Sequence, residues 1–302
     1  MSGAANLAPV VLAPSLLALA AAFCFALALI LTQFGLRTMP SWRSPLYSIG
    51  GSMVLGWAGA AVFVDWGGLA WEAVAVFAAV GCIFPVMVSI LAVRANEALG
   101  PAVAGAAGNV TPVFAVLGAV LFLGERLGLG QAAGLALVVG GVALLALRGG
   151  ASGTRMGGRT WPVWVLALPL AAAMVRGAIQ PAIKTGLALW HEPLAAAAIG
   201  YAMSTLVILA LVGRRAWREG PAHPAGVRWF LAVGMCNGTA TFLLYAALGL
   251  GSIALVAPLV ALFPLMAVVM SYFFLRGEQL HAVGLLGVVV SVAGVILLLA
   301  GT

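Results

Sequence analysis

Three residues with long polar side chains recur at every fourth position of one strongly apolar segment. They are Arg176, Gln180 and Lys184, and this spacing places all three on one face of a helix. Arg176 is near the middle of its segment, where a cation is costly unless it is paired or faces water. We therefore expect Arg176 to line a cavity and to neutralise a carboxylate or phosphate of a bound solute, with Gln180 donating a hydrogen bond. The alternative is that carbonyls of a neighbouring broken helix satisfy Arg176, and that Lys184 anchors the helix at the membrane interface.

A second polar face lies in a later apolar segment, where Asn237, Thr241 and Tyr245 are also spaced by four. An amide and a phenol both need partners once they are removed from water, which makes Asn237 and Tyr245 candidates for solute binding. Thr241 shares their face, although a threonine hydroxyl in a membrane helix often bonds to the carbonyl one turn earlier. We expect this face to contribute to the same cavity.

Three isolated polar residues are further candidates for the binding site. Asn109 lies three residues before Pro112, whose missing N–H frees a carbonyl nearby and predicts a helix break with a site beside it. Gln33 and Tyr201 each lie within an otherwise apolar segment, where a polar side chain is the default candidate for function.

The charged residues at segment ends suggest a gate and argue against a proton relay. Arg94 and Glu97 are three positions apart and could form an ion pair, either at the interface or as a gate at the cavity mouth. All seven acids and all three histidines lie at loops or segment ends. Proton-coupled carriers usually have an intramembrane carboxylate or histidine. We therefore expect no proton relay near the midplane, with Glu97 or Glu192 as the fallback coupling groups.

The elements that must position these residues are apolar segments long enough to cross a bilayer. The chain has 302 residues, of which 64% are hydrophobic and only 7% are charged, and its mean hydropathy is +1.19. This composition excludes a soluble domain, because the apolar area exceeds what one core could bury. Spanning a bilayer takes roughly 20 apolar residues as a helix. We predict an all-α membrane protein with ten transmembrane helices near residues 14–35, 45–64, 73–93, 101–123, 129–147, 163–187, 193–213, 229–248, 253–275 and 282–300.

The arginine distribution predicts an orientation. The joints after the odd-numbered segments hold eleven of the fourteen Lys and Arg residues, and the joints on the opposite side hold Arg126 alone. Short loops rich in Lys and Arg remain in the cytoplasm. We therefore expect odd joints in the cytoplasm, both termini outside, residues 1–35 to include a retained first helix, and a location in the bacterial inner (plasma) membrane.

Charge and cysteine content limit the kinds of partner that the protein can have. The net charge of +7 is spread over joints between apolar segments and forms no single basic face, so we expect anionic lipid headgroups and no nucleic acid as the counter-charge. Cys24, Cys82 and Cys236 all fall inside predicted helices and show no metal-ligand spacing. We expect a monomer with a small-molecule substrate and with no cofactor and no metal.

The chain also matches itself. The sequence from Arg94 to Pro112 aligns with the sequence from Ala246 to Pro264 at an offset of 152, and the following segments align at 153, so that Glu125 pairs with Glu278. Each half, residues 1–150 and 151–302, holds five predicted helices. An odd number of crossings forces the second half to insert upside down, which gives two inverted five-helix repeats. Such pseudo-symmetry gives a carrier two related conformations around a site near the midplane.

These paired stretches resemble the drug/metabolite transporter superfamily, in its bacterial ten-helix EamA-type branch. Each copy has an alanine-rich joint, a mid-helix proline (Pro112, Pro264), a Gly-Glu turn and a glycine-spaced closing helix. The resemblance implies a basket of ten helices around a central cavity, and transport of small metabolites such as amino acids, nucleotide sugars or drugs. Two features differ: many members keep both termini in the cytoplasm, and Phe25 and Arg176 stand near the places of a common tryptophan motif.

The preferred hypothesis is therefore a secondary transporter, an exporter by family resemblance, for an amino acid or a related zwitterionic or anionic solute. A channel could line a path with the same residues, and a multidrug efflux carrier for lipophilic compounds is a second alternative. An intramembrane enzyme is the remote alternative, because the sequence has no HExxH, nucleophile-elbow or phosphate-loop motif. We expect no catalytic residues.

Overall fold

The protein is helical throughout the part of the chain that the structure describes. A computed structural model describes residues 3–95, 98, 110–153, 165, 167–274, 286, 289–290, 293–294 and 296–297, and these contain helices and turns but no strand. The helices are α1 (Gly3–Leu36), α2 (Ser44–Phe63), α3 (Trp71–Ile83), α4 (86–95), α5 (Thr111–Leu123), α6 (Leu129–Gly153), α7 (Ala167–Ala178), α8 (Gln180–Leu189), α9 (Pro193–Arg218), α10 (Pro224–Leu250), α11 (Ile253–Val260) and α12 (Phe263–Phe274). A short 3₁₀ turn, Trp66–Gly68, precedes α3.

Five helical stretches are long and apolar enough to cross a membrane, which identifies a multi-pass membrane protein. They are Leu12–Leu36, Ser44–Phe63, Trp71–Ala95, Pro193–Arg218 and Pro224–Leu250. The first, second, fourth and fifth match the predicted spans 14–35, 45–64, 193–213 and 229–248, and the third contains the predicted span 73–93. The predicted span 101–123 is described only from residue 110 onward, and most of the predicted span 282–300 lies outside the described residues.

Three predicted spans contain an interruption of the helix. The span 73–93 is interrupted at Phe84 and Pro85, which are joined by a cis peptide bond. The span 163–187 is interrupted at Ile179, immediately before Gln180 and Pro181, and the span 253–275 is interrupted after Val260. The physical reason is proline. Its ring has no N–H to donate and clashes with the preceding turn. Accordingly, α4 begins directly after Pro85, and α8 and α12 begin with proline at their second position.

The joints between helices gather at two ends of the molecule. At one end, which we call the Arg43 end, the Arg43 guanidinium donates to the carbonyl of Gly220 over 2.5 Å. At the other, which we call the Glu125 end, Lys184 donates to the carbonyl of Gly251 over 2.8 Å, and the Trp66 and Trp190 rings lie 5.7 Å apart. The Arg43 end thus holds joints 37–43 and 219–223, and the Glu125 end holds joints 64–70, 124–128, 190–192 and 251–252.

One interhelical hydrogen bond occurs twice, at equivalent places of the two halves. Ser52 of α2 donates to the carbonyl of Gly234 in α10 over 2.6 Å, and Ser204 of α9 donates to the carbonyl of Gly81 in α3 over 2.5 Å. The serines are 152 positions apart and the glycines 153, which are the offsets of the internal repeat. Small residues at these crossings let two backbones approach closely in lipid.

A second contact also occurs twice. The ring of Phe230 lies where a Cβ on Gly35 would be, and the ring of Phe77 lies where a Cβ on Gly186 would be. The two phenylalanines are 153 positions apart, and both are among the largest fully buried side chains. The α1–α10 and α3–α8 crossings therefore use the same pairing of a large ring with a glycine.

Alanine at either glycine of the repeated hydrogen bond should destabilise the protein. A Cβ on Gly81 would lie 2.6 Å from the carbonyl oxygen of Gly200, and a Cβ on Gly234 would overlap the carbonyl of Ser48. Because backbone cannot rotate aside, we expect Gly81→Ala and Gly234→Ala to lower the free energy of unfolding by about 1–3 kcal/mol each. The measurement is denaturant unfolding of the purified protein in detergent micelles.

The control is Gly50→Ala in α2, where an added Cβ meets nothing within 4 Å. This variant should match the parent. Equal stability of all three variants would show that the two crossings are not close-packed.

Candidate functional site

A cavity of about 140 Å³ lies between the helices, nearer to the Arg43 end than to the Glu125 end. A single water needs only about 10–15 Å³ on the same scale, so this space suits a small solute. Toward the Arg43 end it is lined by Leu29 and Thr32 near the end of α1 and by Ser48 near the start of α2. The other lining residues include Phe25, Ile49, Ser52, Phe84, Pro85, Val88, Ser89, Ala92, Val93, Thr111, Ala172, Ala173, Arg176, Tyr201, Phe230, Val233, Asn237, Thr241 and Phe263.

Arg176 lines this cavity. Its guanidinium carbon lies 5.3 Å from the centroid of the Phe25 ring and 5.6 Å from that of Phe263. Gly177 brings α7 close to α5, because any Cβ there would lie 2.7 Å from the carbonyl oxygen of Thr111. Close packing of α7 on α5 thus fixes Arg176 beside the two rings, whose faces attract a cation.

The Arg176 guanidinium has an unpartnered donor in the described part of the chain. Its Nε atom is buried and has no hydrogen-bond partner within the described ranges. No described residue that lines the cavity is acidic. Among the described residues, the site therefore presents a positive charge with no acidic partner.

Tyr201, Thr241 and Asn237 form a hydrogen-bonded group on the cavity wall. The Tyr201 hydroxyl donates to the backbone carbonyl of Asn237 over 3.1 Å and lies 2.8 Å from Thr241 Oγ1. The carbonyl one turn before Thr241 is that of Asn237, and it accepts a hydrogen bond from Tyr201. Thr241 is a partner of Tyr201 across two helices, and the amide side chain of Asn237 is left facing the cavity.

Three candidates do not line the cavity. Gln180 is buried, with its Oε1 unpartnered among the described residues, because the break at Ile179 ends the face that it shared with Arg176. Tyr245 is in the hydrophobic core, one turn beyond Thr241. Gln33 is half-buried, and its Nε2 is also without a partner in the described part of the chain.

The remaining candidates concern the predicted break and gate. Asn109 and Glu97 lie outside the described residues, so the pairing of Arg94 with Glu97 is not described either. Arg94 itself is exposed and follows Val93, which lines the cavity. A gate at these residues stays a prediction.

The sequence interpretation missed the serines of α2. Ser44, Ser48 and Ser52 recur at every fourth position and are all buried, and two of them line the cavity. Their spacing could have revealed them, but serine is also a common packing residue in membrane helices. The aromatic walls, which include Phe84 and Phe230, carry no polar signal in the sequence.

Lys184 has a different role from the interfacial anchor considered above. Its ammonium lies 2.7 Å from Glu125 Oε1 and also donates to the carbonyl of Gly251. The same carboxylate accepts hydrogen bonds from the backbone N–H groups of Ile253 and Ala254, the first residues of α11. These contacts tie three segments together at the Glu125 end.

No group of three His, Cys, Asp or Glu side chains within the described ranges could hold a metal ion.

Comparison with known proteins gives the following matches. The model of the EamA-like transporter family matches residues 12–147 and again residues 163–300. A protein of Streptantibioticus cattleyicolor named "Probable terminal-alkyne amino-acid exporter" is 30% identical over 190 residues, which are 63% of this chain and 61% of that protein. A solved crystal structure superposes with a TM-score of 0.72 at 18% identity and covers 94% of this chain and 95% of the other. This last likeness concerns the fold alone.

Removal of the Tyr201 hydroxyl should weaken the contact between α9 and α10. Because Tyr201→Phe deletes the bonds to Thr241 and to the Asn237 carbonyl, we expect the free energy of unfolding to fall by about 1 kcal/mol. Thermal unfolding in detergent measures the effect. Tyr47→Phe is the matched control, since Tyr47 makes no hydrogen bond through its hydroxyl within the described part of the chain. Equal melting temperatures of Tyr201→Phe and Tyr47→Phe would show that the Tyr201 hydroxyl does not stabilise the contact between α9 and α10.

Proposed function

The chain belongs to the EamA-like transporter family, part of the drug/metabolite transporter superfamily, and on that premise we propose that it exports a small carboxylate-bearing solute. The solute class is an amino acid or a related zwitterionic or anionic metabolite. The observation that carries the proposal is the Arg176 guanidinium inside a cavity whose described lining contains no acidic residue. The name of the relative from Streptantibioticus cattleyicolor points to the same class of solute.

A carboxylate is the ligand that best completes the environment of Arg176. The planar guanidinium offers parallel N–H donors that match the two oxygens of a carboxylate, and such charge-assisted bonds strengthen away from water. Phe25 and Phe263 hold the guanidinium without neutralising it, because ring faces are weak acceptors. An anion therefore gains an ion pair here, whereas a cation would be repelled.

The rest of the cavity fits the remainder of a small amino acid. Asn237, Thr241 and Tyr201 supply amide and hydroxyl groups that can accept hydrogen bonds from an ammonium group. The walls are apolar, with Phe84 and Phe230 on opposite elements, and they suit a hydrophobic side chain. The same walls favour the second candidate function, a multidrug carrier for lipophilic compounds, but that function gives Arg176 no role.

We propose that ten transmembrane helices form two inverted repeats, residues 1–150 and 151–302, that alternate between two open states. Support comes from the repeated hydrogen bond of Ser52 with Gly234 and Ser204 with Gly81, each at the offset of the sequence repeat. Further support is the family model, which matches the chain twice in succession. Contacts that repeat under exchange of the halves allow the bundle to open at either end with similar packing.

The arginine distribution supports export. Joint 37–43 holds Arg37 and Arg43, and Arg214, Arg215, Arg218 and Arg228 flank joint 219–223, which favours a cytoplasmic location for this end of a bacterial inner membrane protein. The cavity lining lies nearer to this end than to the Glu125 end. We therefore infer that a cytoplasmic solute reaches Arg176 from the Arg43 end and is exported, with both termini outside.

Loss of the Arg176 charge should abolish binding of carboxylate solutes. A thermal-shift screen of the purified protein against amino acids, organic acids and nucleotide sugars should find a stabilising compound. Because its carboxylate pairs with Arg176, the stabilisation should vanish in Arg176→Ala and persist in part in Arg176→Lys. Arg215→Ala is the control, since Arg215 is exposed and pairs with Glu219 on the surface. Undiminished stabilisation of Arg176→Ala by a carboxylate would contradict the proposed role, and stabilisation by lipophilic compounds alone would favour the multidrug carrier.

Transport should be saturable and independent of a proton gradient. Proteoliposomes loaded with unlabelled solute should accumulate labelled solute by counterflow, because a carrier exchanges one molecule for another. We expect equal rates with and without a pH gradient, since the described lining contains no carboxylate or histidine. Uptake without saturation would indicate a pore, and uptake that requires the gradient would place a coupling group in the path.

A further inference from the structure

The contacts of Glu125 and Lys184 lie at the opposite end of the molecule from the Arg43 end, to which the cavity lies nearer. Lys184 is eight residues after Arg176, which corresponds to about 12 Å along a helix. The Glu125 side chain is only 15% exposed and that of Lys184 is 28% exposed. An ion pair sheltered to this degree is screened less by salt than a surface pair.

This pair joins segments that must separate for the Glu125 end to open. Glu125 follows α5, Lys184 is in α8, and Ile253 and Ala254 begin α11. Both carboxylate oxygens accept backbone N–H groups at the start of α11, at 3.1 and 3.3 Å. A negative charge is favoured at a helix N-terminus, where N–H groups lack partners within the helix. The carboxylate therefore holds α11 through two kinds of attraction, one to Lys184 and one to the helix end.

The protein interior beside this pair is apolar and closely packed. Ile183 and Leu187 of α8 and Ile253, Val256 and Leu259 of α11 are buried in one hydrophobic cluster. A solute that leaves the cavity toward the Glu125 end would have to part these helices. The pair and the cluster together close that route in the structure.

The position that corresponds to Lys184 in the other half carries no charge. Glu125 corresponds to Glu278, which lies outside the described residues, and Lys184 corresponds to Gln33 at the offset of 151 that also relates Gly186 to Gly35. Gln33 is neutral, and its Nε2 is unpartnered within the described ranges. The lysine is thus specific to the Glu125 end, and its equivalent at the Arg43 end cannot form an ion pair.

We propose that Glu125 and Lys184 form the gate that keeps the transport path closed at the Glu125 end, and that breaking this ion pair exposes the cavity there. The ion pair, which the neutral Gln33 cannot form in the other half, favours a resting protein that is closed at the Glu125 end. This proposal rests on the alternating access proposed above and is independent of the solute, because neither residue lines the cavity.

The test measures from which side of the membrane the cavity can be reached. In a background with Cys24, Cys82 and Cys236 changed to Ala, Asn237→Cys places one thiol on the cavity wall. A membrane-impermeant thiol reagent is applied to right-side-out and to inside-out vesicles. The parent should react only from the Arg43 end. Loss of a sheltered ion pair shifts such an equilibrium by about tenfold or more, so Glu125→Gln and Lys184→Met should raise the rate from the Glu125 end by about that factor.

Two further variants sharpen the test. Glu219→Gln breaks the exposed pair with Arg215 at the Arg43 end and should leave both rates unchanged. The exchange Glu125→Lys with Lys184→Glu keeps opposite charges but places an ammonium group against the N–H groups of α11. We expect this exchange to react from the Glu125 end as fast as the single variants.

The outcomes separate the gate from the proposed function. Unchanged rates in folded Glu125→Gln and Lys184→Met would overturn the gate while leaving the cavity intact. A parent thiol that does not react from the Arg43 end would overturn the path itself. Should both single variants fail to fold, Glu125→Cys with Lys184→Cys, joined by a short bifunctional reagent, gives the answer instead. Transport should then stop until the link is reduced, and continued transport by the linked protein would overturn the gate.

Discussion

The cost of an unpaired polar group in hydrocarbon constrains where the described helices can be interrupted. A break in a membrane helix frees backbone carbonyls and N–H groups, which are tolerated only where protein or a water-filled space surrounds them. The break at Phe84 and Pro85 and the break before α12 at Phe263 both provide residues that line the cavity. The break at Ile179 is instead surrounded by protein, with Gln180 and Pro181 buried.

The same constraint explains why Arg176 can remain without a counter-ion among the described residues. Its guanidinium borders the cavity, where water can solvate it until a solute arrives. The hydroxyls of Tyr201 and Thr241 instead satisfy each other and the Asn237 carbonyl, which keeps α9 and α10 together beside the cavity. At the far end, Glu125 and Lys184 satisfy each other and the start of α11. The sheltered charges at the Glu125 end are thus paired, whereas Arg176 borders the space that a solute can enter.

Sequence reasoning located the long apolar segments and the charged residue of the site, because hydropathy and an arginine in hydrocarbon are strong signals. It placed Arg176, Asn237, Thr241 and Tyr201 at the cavity, where the structure brings them together. It could not exclude Gln180, because the break at Ile179 depends on how Pro181 packs. The serines of α2 were missed for a related reason. The sequence alone does not distinguish a small residue that is buried at a helix crossing from one that lines a cavity.

The central claim is that the two halves are inserted with opposite polarity, and side-specific labelling of one cysteine in each half tests it most directly. Gly68→Cys and Pro221→Cys occupy exposed joints that are 153 positions apart and correspond in the repeat. With five crossings between them, an impermeant thiol reagent should modify them from opposite sides of the membrane. Modification of both from the same side would contradict the inverted arrangement and the alternating access that depends on it.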